Sequence, residues 1–184
     1  MNKKALLIID YTNDFVAENG ALTLGKAGQA CESEIIKLAE EFKNNGDLVI
    51  LPTDVHQKDD SYHPETKLFP PHNIRNSWGR KLYGNLNQWY ENHKHLENVW
   101  LMDKTRYSSF VGTDLDLILR EHHIDTLHLV GVSSDICVLH TAISAYNLNY
   151  ELVIHENAIA SFDPKNQQFA LNHFKNVLGA KIVK

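Results

Sequence analysis

Four residues of this chain join reactive chemistry to a telling position: Asp10, Asp54, Lys104 and Cys137. Each of the first three closes a short run: Asp10 after Leu6-Leu7-Ile8-Ile9, Asp54 after Leu51-Pro52-Thr53, and Lys104 after Leu101-Met102-Asp103. If those runs are parallel strands, all three residues face one rim of a sheet. Cys137 follows the polar turn Ser133-Ser134-Asp135, where a strand gives way to a helix that begins near the cysteine. A thiolate is the attacking species, and both a helix N-terminus and a nearby ammonium favour it. Lys104 can supply the ammonium. Asp10 can take the thiol proton and return it to a departing amine, so the three together meet the needs of acyl transfer. Backbone N–H groups of the turn, those of Ser133 and Cys137, are the candidate oxyanion donors; losing one such donor costs about two orders of magnitude in rate. Each residue also has an ordinary reading, as a packed cysteine, a turn-forming aspartate or a solvated lysine. Their coincidence at strand ends points to a site, whereas Cys31 fits plain packing.

The elements that must position them can be read from short apolar runs: Ala5–Ile9, Leu48–Leu51, Val99–Met102, Leu127–Val130, Leu152–Ile154 and Ile182–Val183. Most are apolar at successive positions, as strands covered on both faces require. Helical spacing appears between them, at Glu34–Phe42, Leu115–Leu119, Ile136–Tyr146 and Phe169–Val177, with Asn45-Gly46 closing one helix and Pro164 opening another. This alternation predicts an α/β fold, a three-layer α/β/α sandwich around a mostly parallel, Rossmann-like six-stranded sheet. The exception is a long loop at about 54–98, rich in His, Pro, Asp and Asn, with one short helix near Leu86–Tyr90; loops of this length usually carry function. No repeat or linker divides the chain, so residues 1–184 read as one domain.

The totals narrow the function classes. The chain has 184 residues and 43% hydrophobic content, enough for a core without disulfides. A net charge of −5 with no basic stripe argues against nucleic acid as a partner. The apolar run Ala5–Ile9 is too short for a signal segment or a membrane span, and two cysteines far apart suit a reducing compartment. The expected location is cytoplasmic.

Three ordered blocks carry a resemblance: Ile9-Asp10-Tyr11-Thr12-Asn13-Asp14-Phe15, Lys104-Thr105-Arg106-Tyr107-Ser108-Ser109-Phe110, and Gly131-Val132-Ser133-Ser134-Asp135-Ile136-Cys137-Val138. With them the chain resembles the isochorismatase-like cysteine hydrolases and, within that superfamily, the nicotinamidases. The resemblance runs from Ala5 to about Ala160. It implies Asp10, Lys104 and Cys137 as a catalytic triad and a cis peptide at Val132–Ser133 that turns the Ser133 N–H toward the oxyanion. It further implies a divalent metal at Asp54, His56 and His72, with a fourth ligand from Tyr62-His63-Pro64-Glu65: Glu65 is preferred, His63 the alternative. Imidazole with carboxylate suits zinc, and equally manganese or iron. Phe15, Phe69 and Tyr107 would wall a pocket for a flat ring; their ordinary reading is core packing. Thr12 departs from the glutamine that many members of the superfamily carry near the catalytic aspartate.

The activity so implied is hydrolysis of nicotinamide, or of pyrazinamide-like carboxamides, to the acid and ammonia through a cysteine thioester, a step of NAD salvage, by a homo-oligomer such as a dimer or tetramer. Two other readings remain: an amidohydrolase of the same superfamily acting on a carbamoyl or ureido compound, and a catalytically silent small-molecule-binding protein. The Asp54, His56 and His72 set weighs against the first, and the intact Asp, Lys and Cys set against the second.

Overall fold

The computed structural model describes residues 3–184. Six strands, β1 (Lys3–Ile9), β2 (Leu48–Asp54), β3 (Val99–Lys104), β4 (Ile124–Val132), β5 (Glu151–Ala160) and β6 (Lys181–Val183), form one sheet in the order β3-β2-β1-β4-β5-β6. Every pairing is parallel. The α/β expectation holds, and all six expected runs are strands. Several extend beyond the apolar run, because backbone pairing does not need apolar side chains: β2 continues through the buried Pro52, Thr53 and Asp54, paired with β3.

Two hydrophobic layers explain why the runs are apolar at successive positions. Along β1, Ala5, Leu7 and Ile9 pack on one face and Leu6 and Ile8 on the other, all of them buried. The first face is covered by α5 (Leu115–Glu121), α6 (Leu139–Asn147) and α7 (Pro164–Asn176). The second is covered by α1 (Asn13–Val16), α3 (Glu32–Asn44) and α4 (Gly84–His93), with α2 (Lys26–Gln29) tied in by a bond from the Tyr11 hydroxyl to Gly28 O. Local signals set the helix ends: Asp163 caps α7 by accepting from Lys165 N–H with Pro164 in the first turn, and α3 ends at Asn45 before Gly46 at φ 74°. The four-residue helices α1 and α2 are too short for a periodic signal and escaped the sequence reading.

The chain leaves β1 for β2 and β3 on one side, and β4 continues to β5 and β6 on the other. The carboxyl ends of β1 and β4 therefore flank the switch point, where sheets of this order bind ligands. The long loop after β2 folds back over that rim. It contains a 3₁₀ turn at Pro64–Lys67 and α4, and it is pinned by isolated bridges pairing Thr12 with Leu82 and His56 with Ile74.

Candidate active site and metal centre

Three strand ends deliver the charged groups. Asp10 follows β1 with a left-handed backbone (φ 54°), which Asp tolerates better than most residues. The turn is held by Asp10 N–H donating to Pro52 O and by Asp54 N–H donating to Asp10 Oδ1 at 2.7 Å. Asp54 and Lys104 are register partners at the ends of β2 and β3. Lys104 is 1% exposed, and its Nζ lies 2.7 Å from Asp10 Oδ2, 3.8 Å from Asp54 Oδ1 and 3.7 Å from Cys137 Sγ, while donating to Arg106 O. A lysine so deeply buried is tolerable only where carboxylates surround it.

The fourth strand end delivers the turn that carries Cys137. Gly131 has φ 109°, and a Cβ there would stand 2.0 Å from Ile9 O, so only glycine lets β4 approach β1 this closely. The Val132–Ser133 peptide is cis. Ser134–Val138 forms a π-type turn that leads into α6 and carries Cys137. The Ser133 hydroxyl donates to Asp135, whose same oxygen accepts from Ser161 Oγ, and Ser134 Oγ donates to Gln167. These bonds tie the turn to the end of β5 and to α7.

The electrostatics of the group place the thiol proton on sulfur at rest. Burial pushes the Cys137 thiol well above its ordinary pKa; Lys104 opposes this, but Asp10 and Asp54 add to it. Burial likewise raises Asp10 to about 6, against the pull of Lys104 and with a push from Asp54. Lys104 stays firmly protonated: burial acts against its charge, but Asp10, Cys137 and Asp54 outweigh it. The resting pair is thus a thiol beside a carboxylate, and the proton has a short path between them. Asp10 Oδ2 meets Lys104 as an ion pair with no donor aligned on it, so it has lone-pair capacity for that proton.

Beside this group, Asp54, His56, Glu65 and His72 are all buried and offer donor atoms within 4.8 Å of one another. Asp54 Oδ2 lies 2.8 Å from His56 Nε2 and 3.6 Å from His72 Nε2; Glu65 Oε2 lies 3.9 and 3.6 Å from the same nitrogens. Donors about 2.1 Å from a common ion stand roughly 3.0 to 3.4 Å apart in octahedral or tetrahedral geometry, close to these separations. The His72 Nδ1 position is used by Pro70 O at 2.8 Å, which leaves Nε2 buried without a partner. An orphaned imidazole nitrogen between two carboxylates fits a cation. His63 is occupied elsewhere: its Nε2 donates to Thr105 O, and its Nδ1 accepts from Glu65 N–H to cap the 3₁₀ turn. A cavity of about 400 Å³ opens onto His56, Glu65 and His72, with Phe69, Pro71 and Ile74 also in its wall.

The aromatic residues divide. Phe15 and Phe69 both pack on the His72 ring, at centroid distances of 5.3 and 6.1 Å. Tyr107 packs instead on His140, at 5.2 Å. His140, in α6 three residues after Cys137, escaped the sequence reading; its signal was that spacing. Asn73 also escaped it, since nothing marks an asparagine after a histidine.

The Isochorismatase domain family model matches residues 4–183. The chain belongs to the isochorismatase family. Among its relatives in that family, the isochorismatase family protein PncA of Bacillus subtilis is 54% identical, with 98% of each chain covered. The crystal structure of nicotinamidase/pyrazinamidase PncA from Bacillus subtilis matches with a TM-score of 0.98 at 56% identity, covering 99% of this chain and 100% of that one. A pyrazinamidase of Pyrococcus horikoshii, solved in complex with zinc, matches with a TM-score of 0.86 at 26% identity and 99% coverage of both. No helix among the described residues of this family member is long and apolar enough to cross a membrane.

Proposed function

We propose that this isochorismatase-family protein is a nicotinamidase that hydrolyses nicotinamide to nicotinate and ammonia in NAD salvage, with Asp10, Lys104 and Cys137 as its catalytic residues. The observation that carries the reading is the convergence of a buried thiol, carboxylate and ammonium next to a four-donor metal set. The high-identity structures named nicotinamidase and pyrazinamidase support the substrate class.

In the first step the Cys137 proton passes to Asp10 as sulfur forms its bond to the carboxamide carbon. The carbonyl electron pair moves to oxygen, where the N–H groups of Ser133 and Cys137 stabilise it. On collapse, the C–N bond breaks and Asp10 returns the proton to nitrogen, so ammonia departs and a thioester remains. Asp10 then takes a proton from water, hydroxide adds to the thioester carbon, and the released sulfur recovers the proton. Lys104 remains cationic throughout and holds Asp10 in place. Asp54, His56, Glu65 and His72 would hold a divalent ion, zinc foremost and manganese or iron also compatible, which supplies a Lewis-acid site for a ring nitrogen. Phe15 and Phe69, packed on His72, would flank a flat ring, and Tyr107 would border the Cys137 end. A cytoplasmic location belongs to the same reading, supported by two free, buried thiols.

The test is ammonia release from nicotinamide by wild type, by Cys137→Ala and by chelator-treated enzyme with and without added zinc. The reading requires an active wild type, an inactive variant and metal-dependent recovery. Cleavage of N-carbamoyl compounds through Cys137 with nicotinamide inert would move the substrate class to that of the N-carbamoylsarcosine amidase from Thermoplasma acidophilum, 30% identical with a TM-score of 0.85.

A further inference from the structure

Asn73 is fully buried and left-handed at φ 44°, a conformation that Asn adopts more readily than most residues. Each of its polar groups is engaged. Its N–H donates to Asp14 Oδ2 at 2.7 Å, and its carbonyl accepts from the His56 N–H at 3.0 Å. Its side-chain oxygen accepts from Thr12 Oγ1 at 2.9 Å, and its side-chain nitrogen faces Asp54 Oδ2 at 3.5 Å. Covalently it follows His72. One residue that belongs to no donor set therefore touches the backbone of one donor, the carboxylate of a second and the chain of a third.

Asp14 explains how Asn73 is held. This buried carboxylate has no lysine or arginine within 4.0 Å among the described residues; it accepts from Ala21 N–H through Oδ1 and from Asn73 N–H through Oδ2. Its own N–H donates to Gly79 O, and a Cβ at Gly79 would lie 2.0 Å from Oδ2, so the glycine leaves the space that the carboxylate fills. Thr12 completes the clamp, and its short hydroxyl gives the departure from glutamine a local purpose.

We propose that Asn73, clamped by Asp14 and Thr12, is a positioning residue that sets the spacing of Asp54, His56 and His72 for metal binding. This rests on the reading that those residues, with Glu65, hold a divalent ion, but not on the identity of the substrate. Partners behind metal ligands typically contribute about 10- to 100-fold in affinity. Asn73→Gly keeps the left-handed backbone and removes only the side chain, and Thr12→Val removes one hydroxyl at nearly constant volume. Zinc affinity of the metal-free protein, measured by competition with a chromogenic chelator, should fall about 10- to 100-fold in Asn73→Gly and several-fold in Thr12→Val. The rise in Tm on adding zinc should shrink in the same order. Phe174→Leu, destabilised in the core of α7, should bind zinc like wild type, which separates positioning from general loosening.

Wild-type affinity in both site variants, or an equal loss in Phe174→Leu, would overturn the inference. A wild type that binds no divalent ion would overturn the metal reading beneath it instead. If Asn73→Gly does not fold, Thr12→Val decides alone, and unchanged zinc affinity there removes the clamp.

Discussion

Replacing Lys104 with methionine keeps the stem and removes the ammonium from between two buried carboxylates. Its Nζ lies 2.7 Å from Asp10 and 3.8 Å from Asp54. With an effective dielectric of about 20, those attractions are worth roughly 6 and 4 kcal/mol. The desolvation penalty of the ammonium, several kcal/mol, is recovered, so the expected net loss is about 3–5 kcal/mol, as for other buried pairs broken on one side. For a chain of this length that lowers Tm by roughly 10 °C. The protein can relieve part of the cost by protonating Asp10, already raised to about 6 with Lys104 in place. A folded-state carboxylate pKa above its unfolded value contributes stability at low pH that is lost as pH rises through the folded pKa. The deficit of Lys104→Met must therefore be larger at pH 8 than at pH 5. A neutral Asp10 at pH 7 cannot accept the thiol proton, so ammonia release should drop by about 10³-fold. Urea unfolding of wild type, Lys104→Met, Asp10→Asn and the double variant, with chelator present throughout, measures the coupling. A value above about 2 kcal/mol at pH 8 that shrinks at pH 5 is expected. A single variant as stable as wild type at pH 8, with no coupling, would refute the account of the buried charges.

Three further outcomes follow from other parts of the molecule. Gly131→Ala combines a strained φ with a 2.0 Å contact to Ile9 O; a loss of at least about 3 kcal/mol is expected, and an unchanged Tm would contradict it. His128, packed edge-on against Phe42 and hydrogen-bonded to His155, is lowered by burial and by the neighbouring His155 to about 4. The fold holds it neutral, so roughly 2–3 kcal/mol of stability is lost as pH falls from 6.5 to 4, and denaturant titrations of His128→Leu should show a flatter slope over that window. Benzamide, which lacks the ring nitrogen, should turn over at least about 100-fold more slowly than nicotinamide; equal rates would exclude a metal contact to the ring.

The sequence by itself determined the layer architecture, because doubly covered parallel strands need unbroken apolar runs and Leu6, Leu7, Ile8 and Ile9 supply one. It also located Asp10, Asp54 and Lys104, since a polar residue closing such a run must stand at the sheet's rim. Tertiary structure decided whatever depends on distance between separated segments. Glu65 joins the donor set because the capping role of His63 turns its ring to Thr105, a partner 42 residues away. Asn73 became visible only once Asp14 and Thr12, 59 and 61 residues earlier, closed around it. The protonation of Cys137 depends on the fold for the same reason. The helix start beside it and Lys104, 33 residues earlier, favour a thiolate, but the energy of a charge is set by how completely the surrounding fold removes water, and no window of sequence contains that quantity.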